Sequence, residues 1–227
     1  DKKVTFVTIG EGNPIPWFEQ LHKKGIKCIP VVPNVKLAQR VQAHGADALV
    51  VEGMEAGGHD GKLTLMALLE NVLPDIEIPV IAAGGIADGR GIAASLLMGA
   101  SGVQMGTRFL LAEECSLHPK AKDAIMAAAD TDSVVTGFTT GDSVRGLKNR
   151  FSDRYLKAEY SGASPDELSS ISAGTTKRGA LLGDTENGFI LAGMSLTHLT
   201  KIQSAKEIVE ELVSETERRL AAAPGLI

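Results

Sequence analysis

The feature that most constrains the fold is a repeat of short apolar segments, each followed by a stretch with helical periodicity. The segments show no polar alternation, which is typical of strands covered on both faces of a parallel sheet. Five of them occur in the first half of the chain, at residues 4–9, 27–32, 48–51, 79–83 and 102–105. Amphipathic stretches separate them, at residues 14–24, 35–44, 63–73 and 89–98. The sequence therefore predicts five consecutive βα units.

Glycines at the ends of the last two strands favour a barrel over an open, doubly wound sheet. Gly84 and Gly85 end the fourth strand and Gly106 follows the fifth. Barrel enzymes build a phosphate site from the loops after strands 7 and 8. If the fourth and fifth predicted strands correspond to barrel strands 7 and 8, the first predicted strand corresponds to barrel strand 4. We therefore predict an α/β fold of the TIM-type (β/α)8 class, with about five βα units and a C-terminal helical cap.

The pattern changes after Phe109 and predicts three segments. Residues 1–114 form barrel units 4–8, residues 115–192 a cap-like insertion, and residues 193–227 the helix that closes the barrel. Within the cap we expect a helix over 119–129, a polar loop over 136–143 and a charged helix over 153–159. Five strands alone would leave two edges unpaired, so we expect the chain to be part of a longer protein or to fold with the missing units supplied.

Composition excludes several classes of function. A net charge of −5 and 4% aromatic residues argue against nucleic-acid binding. No apolar run reaches 18 residues, so we expect a cytoplasmic protein without a membrane span. The two cysteines, Cys28 and Cys115, have no ligand-spaced partner in the sequence and predict neither a disulfide nor a metal centre.

Candidate site residues follow the predicted strands. Gly84, Gly85 and Gly106 would let a phosphate approach the backbone, with help from the positive end of the next helix. Tight βα turns would explain the same glycines. His59 stands in a glycine-rich loop, where it can handle a proton, and Glu52 ends the preceding strand. Structural roles are the alternatives: His59 would donate a hydrogen bond to a backbone carbonyl, and a helix end would neutralise the Glu52 carboxylate.

Longer motifs carry a family resemblance. Residues 52–59, 79–89 and 103–109 resemble the nitronate monooxygenase (2-nitropropane dioxygenase) family, most closely its FMN-dependent enoyl-acyl carrier protein reductases II. The resemblance extends to residues 10–14, 143–149 and 192–194 and is weaker between 151 and 188. The family's first three βα units, which embrace the flavin ring, have no counterpart in this sequence.

The resemblance implies the cofactors FMN and NADH, a monovalent cation and a homodimer. It assigns catalysis to His59. It implies cofactor contacts from the residues at the strand ends and from one methionine near the flavin: Glu52, Gly57, Gly84, Gly85, Gln104, Met105, Gly106, Thr107 and Met194.

The implied reaction is NADH-dependent reduction of the 2,3 double bond of enoyl-acyl carrier protein thioesters in fatty acid elongation. A nitronate monooxygenase, which oxidises nitronates with FMN and oxygen, is the alternative with the same fold. A non-catalytic interaction module is a third reading. Acyl carrier protein is acidic, and a basic cluster would receive it, unless the cluster is only a solvated helix face. Its members are Arg145, Lys148, Arg150, Arg154 and Lys157.

Overall fold

The computed structural model describes residues 3–226. The strands in this range are β1 (Phe6–Ile9), β2 (Lys27–Val32), β3 (Leu49–Glu52), β4 (Gly58–His59), β5 (Val80–Ala83), β6 (Gly102–Gln104), β7 (Ser133–Thr136) and β8 (Val144–Leu147). The α-helices are α1 (Ile15–His22), α2 (Val35–Ala43), α3 (Leu65–Val72), α4 (Gly89–Leu97), α5 (Pro119–Ala127), α6 (Arg150–Tyr160), α7 (Pro165–Ser172), α8 (Thr175–Ala180) and α9 (Ala205–Ala222).

Five parallel strands form the main sheet in the order β1-β2-β3-β5-β6. Each strand lies beside the next one in the chain, without the reversal of order that defines a doubly wound sheet. The choice of a barrel-type sheet is therefore confirmed. The register places Glu52 opposite Ala83 and Ala83 opposite Gln104, so these three residues form a row at the carboxyl ends of their strands.

Helices cover the main sheet through an apolar core. Leu68 and Leu69 of α3 are buried against Val51 of β3, together with Val41 of α2 and Phe18 of α1. Burying a side chain of this size stabilises the fold by about 1.5–3 kcal/mol. The helical periodicity thus sets which faces of α1 to α3 meet the strands.

A second, antiparallel sheet was not predicted from the sequence. It has the order β4-β8-β7, and β4 pairs with β8 so that His59 lies opposite Val144. The predicted polar loop connects β7 to β8. Strands β7 and β8 have only four residues each and β4 has only two. Such short strands show no clear alternation of apolar and polar residues in the sequence. The hairpin attaches residues 133–147 to the loop that follows β3.

Helix α9 packs against α4. A Cβ on Gly89 would lie 2.6 Å from both Cβ of Glu215 and the backbone nitrogen of Thr216, so the two helices approach closely at this glycine. Among residues 3–226, no helix combines the length and apolar composition needed to cross a bilayer. The division into three segments stays a prediction.

The buried thiol of Cys28 has neighbours that sequence spacing did not indicate. One ligand atom each from His22, Cys28 and Asp47 lie within 4.8 Å of one another. The Asp47 carboxylate already accepts hydrogen bonds from the His22 ring, the Lys27 ammonium and the Cys28 backbone. Burial and the Asp47 charge raise the pKa of the Cys28 thiol. The cluster joins α1 and β2 to the start of β3, and the expectation of no metal centre stays a prediction.

Candidate functional site

A cavity of about 400 Å³ opens at the carboxyl ends of β3, β5 and β6. This volume lies in the range of small-molecule sites, and the carboxyl ends of parallel strands are where such sites form. Its walls combine the row of strand ends, the following turns and a late segment of the chain. The lining residues are Glu52, Ala56, Gly57, Ala83, Gly84, Gly85, Ile86, Gln104, Met105, Gly106, Thr107, Leu110, Leu191 and Ser195.

The backbone conformation of the turn at Gly84 and Gly85 requires glycine. Both residues have positive φ, at +101° and +69°, a conformation that strongly favours glycine. A Cβ on Gly84 would also lie 2.9 Å from the carbonyl oxygen of Gly53. Tight-turn geometry therefore explains this pair without a ligand. At Gly106, by contrast, a Cβ would meet no atom within 4 Å.

The positive end of α4 does not face an open anion site, which corrects the sequence interpretation. The Asp88 side chain accepts hydrogen bonds from two backbone N–H groups of the first turn, at 2.9 and 3.3 Å. The Glu215 carboxylate accepts a third from Gly89, at 3.0 Å. Because the chain's own carboxylates occupy this terminus, a phosphate in the cavity would rely on the turns after β5 and β6.

Glu52 is the one charged side chain on the cavity wall among the described residues. Burial raises the pKa of its carboxyl, and the nearby charge of Asp60 raises it further. No basic side chain of residues 3–226 lines the cavity.

A late segment of the chain, residues 191–195, crosses the loop after β3. A Cβ on Gly57 would lie 2.6 Å from the backbone carbon of Ala192, so only glycine fits there without displacing the segment. Gly193 donates a backbone hydrogen bond to the Thr107 hydroxyl at 2.9 Å, and Met194 donates one to the carbonyl of Glu55 at 2.9 Å. These contacts bring Leu191 and Ser195 to the cavity wall.

Met194 lines a neighbouring groove and does not line the cavity itself. The groove measures about 330 Å³ and shares the turn over residues 84–86 and Ser195 with the cavity. Apolar side chains form most of its wall. They are Leu65, Met66 and Leu69 of α3, Ala94 of α4, Met98 just after α4, and Met194.

His59 also lies outside the cavity wall. Its side chain is 60% exposed, and its Nε2 lies 3.1 Å from Oδ1 of Asp142, in the loop between β7 and β8. Two hydrogen bonds from Gly137 and Thr139 to the buried carboxylate of Glu159 hold the start of that loop. His59 thus follows the wall residue Gly57 by two positions, and its role stays a prediction.

Arg145 is buried, which removes it from the predicted basic docking cluster. Its guanidinium donates to the carbonyl of Met54 at 2.9 Å and to the Ser133 hydroxyl at 3.2 Å. A third nitrogen lies 3.6 Å from Oδ2 of Asp60. Arg145 therefore fastens the hairpin to the loop after β3. The other four members are exposed: Lys148, Arg150, Arg154 and Lys157.

The structure gathers eight of the predicted cofactor residues around one cavity: Glu52, Gly57, Gly84, Gly85, Gln104, Met105, Gly106 and Thr107. Sequence reasoning missed Leu191 and Ser195, and only their neighbour Met194 signalled that segment. Backbone groups around the open space at Gly106 suit a phosphate, and the cavity's volume suits part of a flavin nucleotide. The residues present therefore fit FMN, although their individual roles stay predictions.

The family model and the curated relatives that match this chain point to the same protein family. The nitronate monooxygenase family model matches residues 1–215. A probable nitronate monooxygenase of Staphylococcus aureus is 34% identical over 209 residues, covering 87% of this chain and 58% of the relative. Its counterpart in Staphylococcus saprophyticus is 34% identical over 210 residues, with the same coverage. The chain thus spans less than two thirds of the length of these curated relatives.

Solved structures share the fold. FabK from Thermotoga maritima superposes with a TM-score of 0.94 at 40% identity, over 98% of this chain and 71% of FabK. Nitroalkane oxidase from Streptomyces ansochromogenes gives 0.80 at 29% identity, over 97% of this chain and 66% of that protein. The five-stranded sheet is therefore part of a TIM barrel, as the glycine pattern predicted.

Proposed function

Given that the chain belongs to the nitronate monooxygenase family of flavin-dependent oxidoreductases, we propose that it reduces the 2,3 double bond of enoyl thioesters with FMN and NADH. The observation that carries the proposal is the apolar groove that adjoins the cavity. A site for an enoyl thioester needs room for an acyl chain beside the flavin. The groove supplies it, since apolar side chains, including four from α3 and α4, form most of its wall. The likeness to FabK supports the same reaction.

Each part of the site has a task in this proposal. Glu52, the Gly84-Gly85 turn and residues 104–107 would hold FMN, and Gly57 with residues 191–195 would fix its position. When bound, FMN supplies the electron transfer between NADH and the double bond. His59 would polarise the thioester carbonyl or deliver the α-proton.

Substrate delivery by acyl carrier protein is part of the proposal. The four exposed cations on and beside α6 offer a positive surface to an acidic carrier, although the whole chain has a net charge of −5. Activation by a monovalent cation and a homodimeric state complete the proposal.

Nitronate oxidation is the second candidate. The matched curated relatives are probable nitronate monooxygenases, and nitroalkane oxidase shares the fold. In that reaction His59 would act as a base on a nitroalkane, and oxygen would reoxidise the flavin.

Product analysis separates the two reactions. The purified protein with FMN is incubated with NADH and crotonyl-coenzyme A, and in parallel with ethylnitronate in air. We expect mass spectrometry to detect butyryl-coenzyme A, with little oxygen consumption in the second reaction. Rapid oxygen consumption with the nitronate and no butyryl product would favour nitronate oxidation and overturn our proposal.

A further inference from the structure

The cavity wall has an unusual charge for a site that should receive an anion. Glu52 is its one charged side chain among residues 3–226, and no lysine or arginine lines it. A phosphate group carries nearly two negative charges at neutral pH. An anionic ligand here would therefore face a carboxylate without a cation beside it on the wall.

The charge of a second carboxylate, that of Asp60, acts on Glu52. A Cβ on Gly61, the residue after Asp60, would lie 3.7 Å from the carbonyl oxygen of Glu52, so the two chain segments pack together. The Asp60 side chain is 4% exposed, and its Oδ2 lies 3.6 Å from the Arg145 guanidinium. Its Oδ1 is buried and has no hydrogen-bond partner among the described residues.

Arg145 does not neutralise both carboxylates. Two of its nitrogens donate to the Met54 carbonyl and the Ser133 hydroxyl, and the charges of both Asp60 and Glu55 act on its guanidinium. Asp60 is the charged group that acts on Glu52, and β5, β6 and residues 191–195 present only neutral side chains to the cavity. Two buried negative charges beside an arriving anion are costly unless one takes up a proton.

We propose that binding of the anionic cofactor makes Glu52 take up a proton, so that its carboxyl presents an O–H donor to the bound cofactor. This inference rests on the FMN part of the proposed function and not on the choice of substrate. Burial and the charge of Asp60 already raise the pKa of Glu52 before a ligand binds, and an anion beside Glu52 would raise that pKa further.

Calorimetric titration of the protein with FMN tests the proton directly. Measurements at pH 7 in two buffers with different ionisation enthalpies give the number of protons taken up per FMN. We expect the wild-type protein to exceed Glu52→Gln by about 0.3 to 1 proton, because glutamine mimics the neutral acid and cannot titrate. Glu70→Gln, an exposed glutamate on α3, is the matched control and should behave as wild type.

The affinity gives a second readout. Between pH 6 and pH 8, the ratio of the wild-type Kd to the Glu52→Gln Kd should rise by about three- to tenfold, because only the wild-type protein must bind a proton. Riboflavin, which lacks the phosphate, should show a smaller rise. The ratio of the two proteins cancels the titration of the FMN phosphate itself.

Several results would overturn the inference. Equal proton uptake by wild type and Glu52→Gln would remove Glu52 from the linkage. A Kd that depends on potassium in the wild type but not in Glu52→Gln, at constant ionic strength, would show that a cation neutralises Glu52. Failure to bind FMN would refute both this inference and the cofactor assignment. Normal proton-coupled FMN binding without enoyl reduction would refute only the proposed reaction.

Discussion

The variant Gly57→Ala tests whether residues 191–195 pack on the loop after β3 and so shape the cavity. A Cβ at this position would lie 2.6 Å from the carbonyl carbon of Ala192 and 2.7 Å from the backbone nitrogen of Gly193. Gly57→Ala must therefore move residues 191–195. Overpacking of this kind costs about 1–3 kcal/mol. The shift also weakens the hydrogen bonds from Gly193 to Thr107 and from Met194 to Glu55. Each of these stabilises the fold by about 0.5–1.5 kcal/mol.

The net loss should be about 2–4 kcal/mol, because alanine also restricts the unfolded chain and returns about 0.4–1 kcal/mol. Urea unfolding followed by circular dichroism measures this loss. Gly106→Ala is the matched control, since its Cβ would meet no atom within 4 Å and should change the free energy of unfolding by no more than about 0.5 kcal/mol. That control should nevertheless weaken FMN binding. Equal stability of the two variants would refute the packing of residues 191–195 on Gly57.

The remaining predictions concern His59, the N-cap of α4 and the proposed docking surface for acyl carrier protein. His59→Ala should slow reoxidation of reduced FMN by an enoyl thioester about 10²- to 10⁴-fold in stopped-flow absorbance while His44→Ala does not, and an unchanged rate would remove His59 from the mechanism. Asp88→Ala should cost about 1 kcal/mol at pH 7. Burial alone would raise the pKa of Asp88, but hydrogen bonds from the Arg90 side chain and the first turn of α4 lower it overall. The stabilisation is thus present above the unfolded pKa of about 3.9 and disappears as pH falls through the folded pKa, so thermal melts of variant and wild type should converge near pH 2; Glu70→Ala should show no such dependence. Arg150→Glu with Arg154→Glu should raise KM for an acyl carrier protein substrate more than for a coenzyme A substrate, and equal effects would identify a merely solvated helix face.

The sequence predicted the main sheet well because its signals are local. Apolar runs without alternation located β1 to β3, β5 and β6 within two residues at each end, and the glycines after β5 indicated the barrel. The antiparallel sheet escaped prediction because β4 has two residues and is defined by its partner in a distant hairpin.

The site was predictable where the chain is continuous and unpredictable where distant segments meet. Glu52, the Gly84-Gly85 turn and Gln104 follow from strand ends. Leu191 and Ser195 reach the cavity through tertiary hydrogen bonds, which leave no periodic pattern. Arg145 was expected on the surface because its sequence neighbours are charged, yet its partners, Met54 and Asp60, lie more than 80 residues earlier.

An anaerobic absorbance experiment tests the central claim most directly. The flavin bands of the purified protein are followed after addition of NADH and then of crotonyl-coenzyme A, with oxygen excluded. Our account predicts rapid bleaching by NADH and full return of the flavin bands with the enoyl thioester. Slow bleaching by NADH, or bleached flavin that only oxygen restores, would contradict an enoyl reductase.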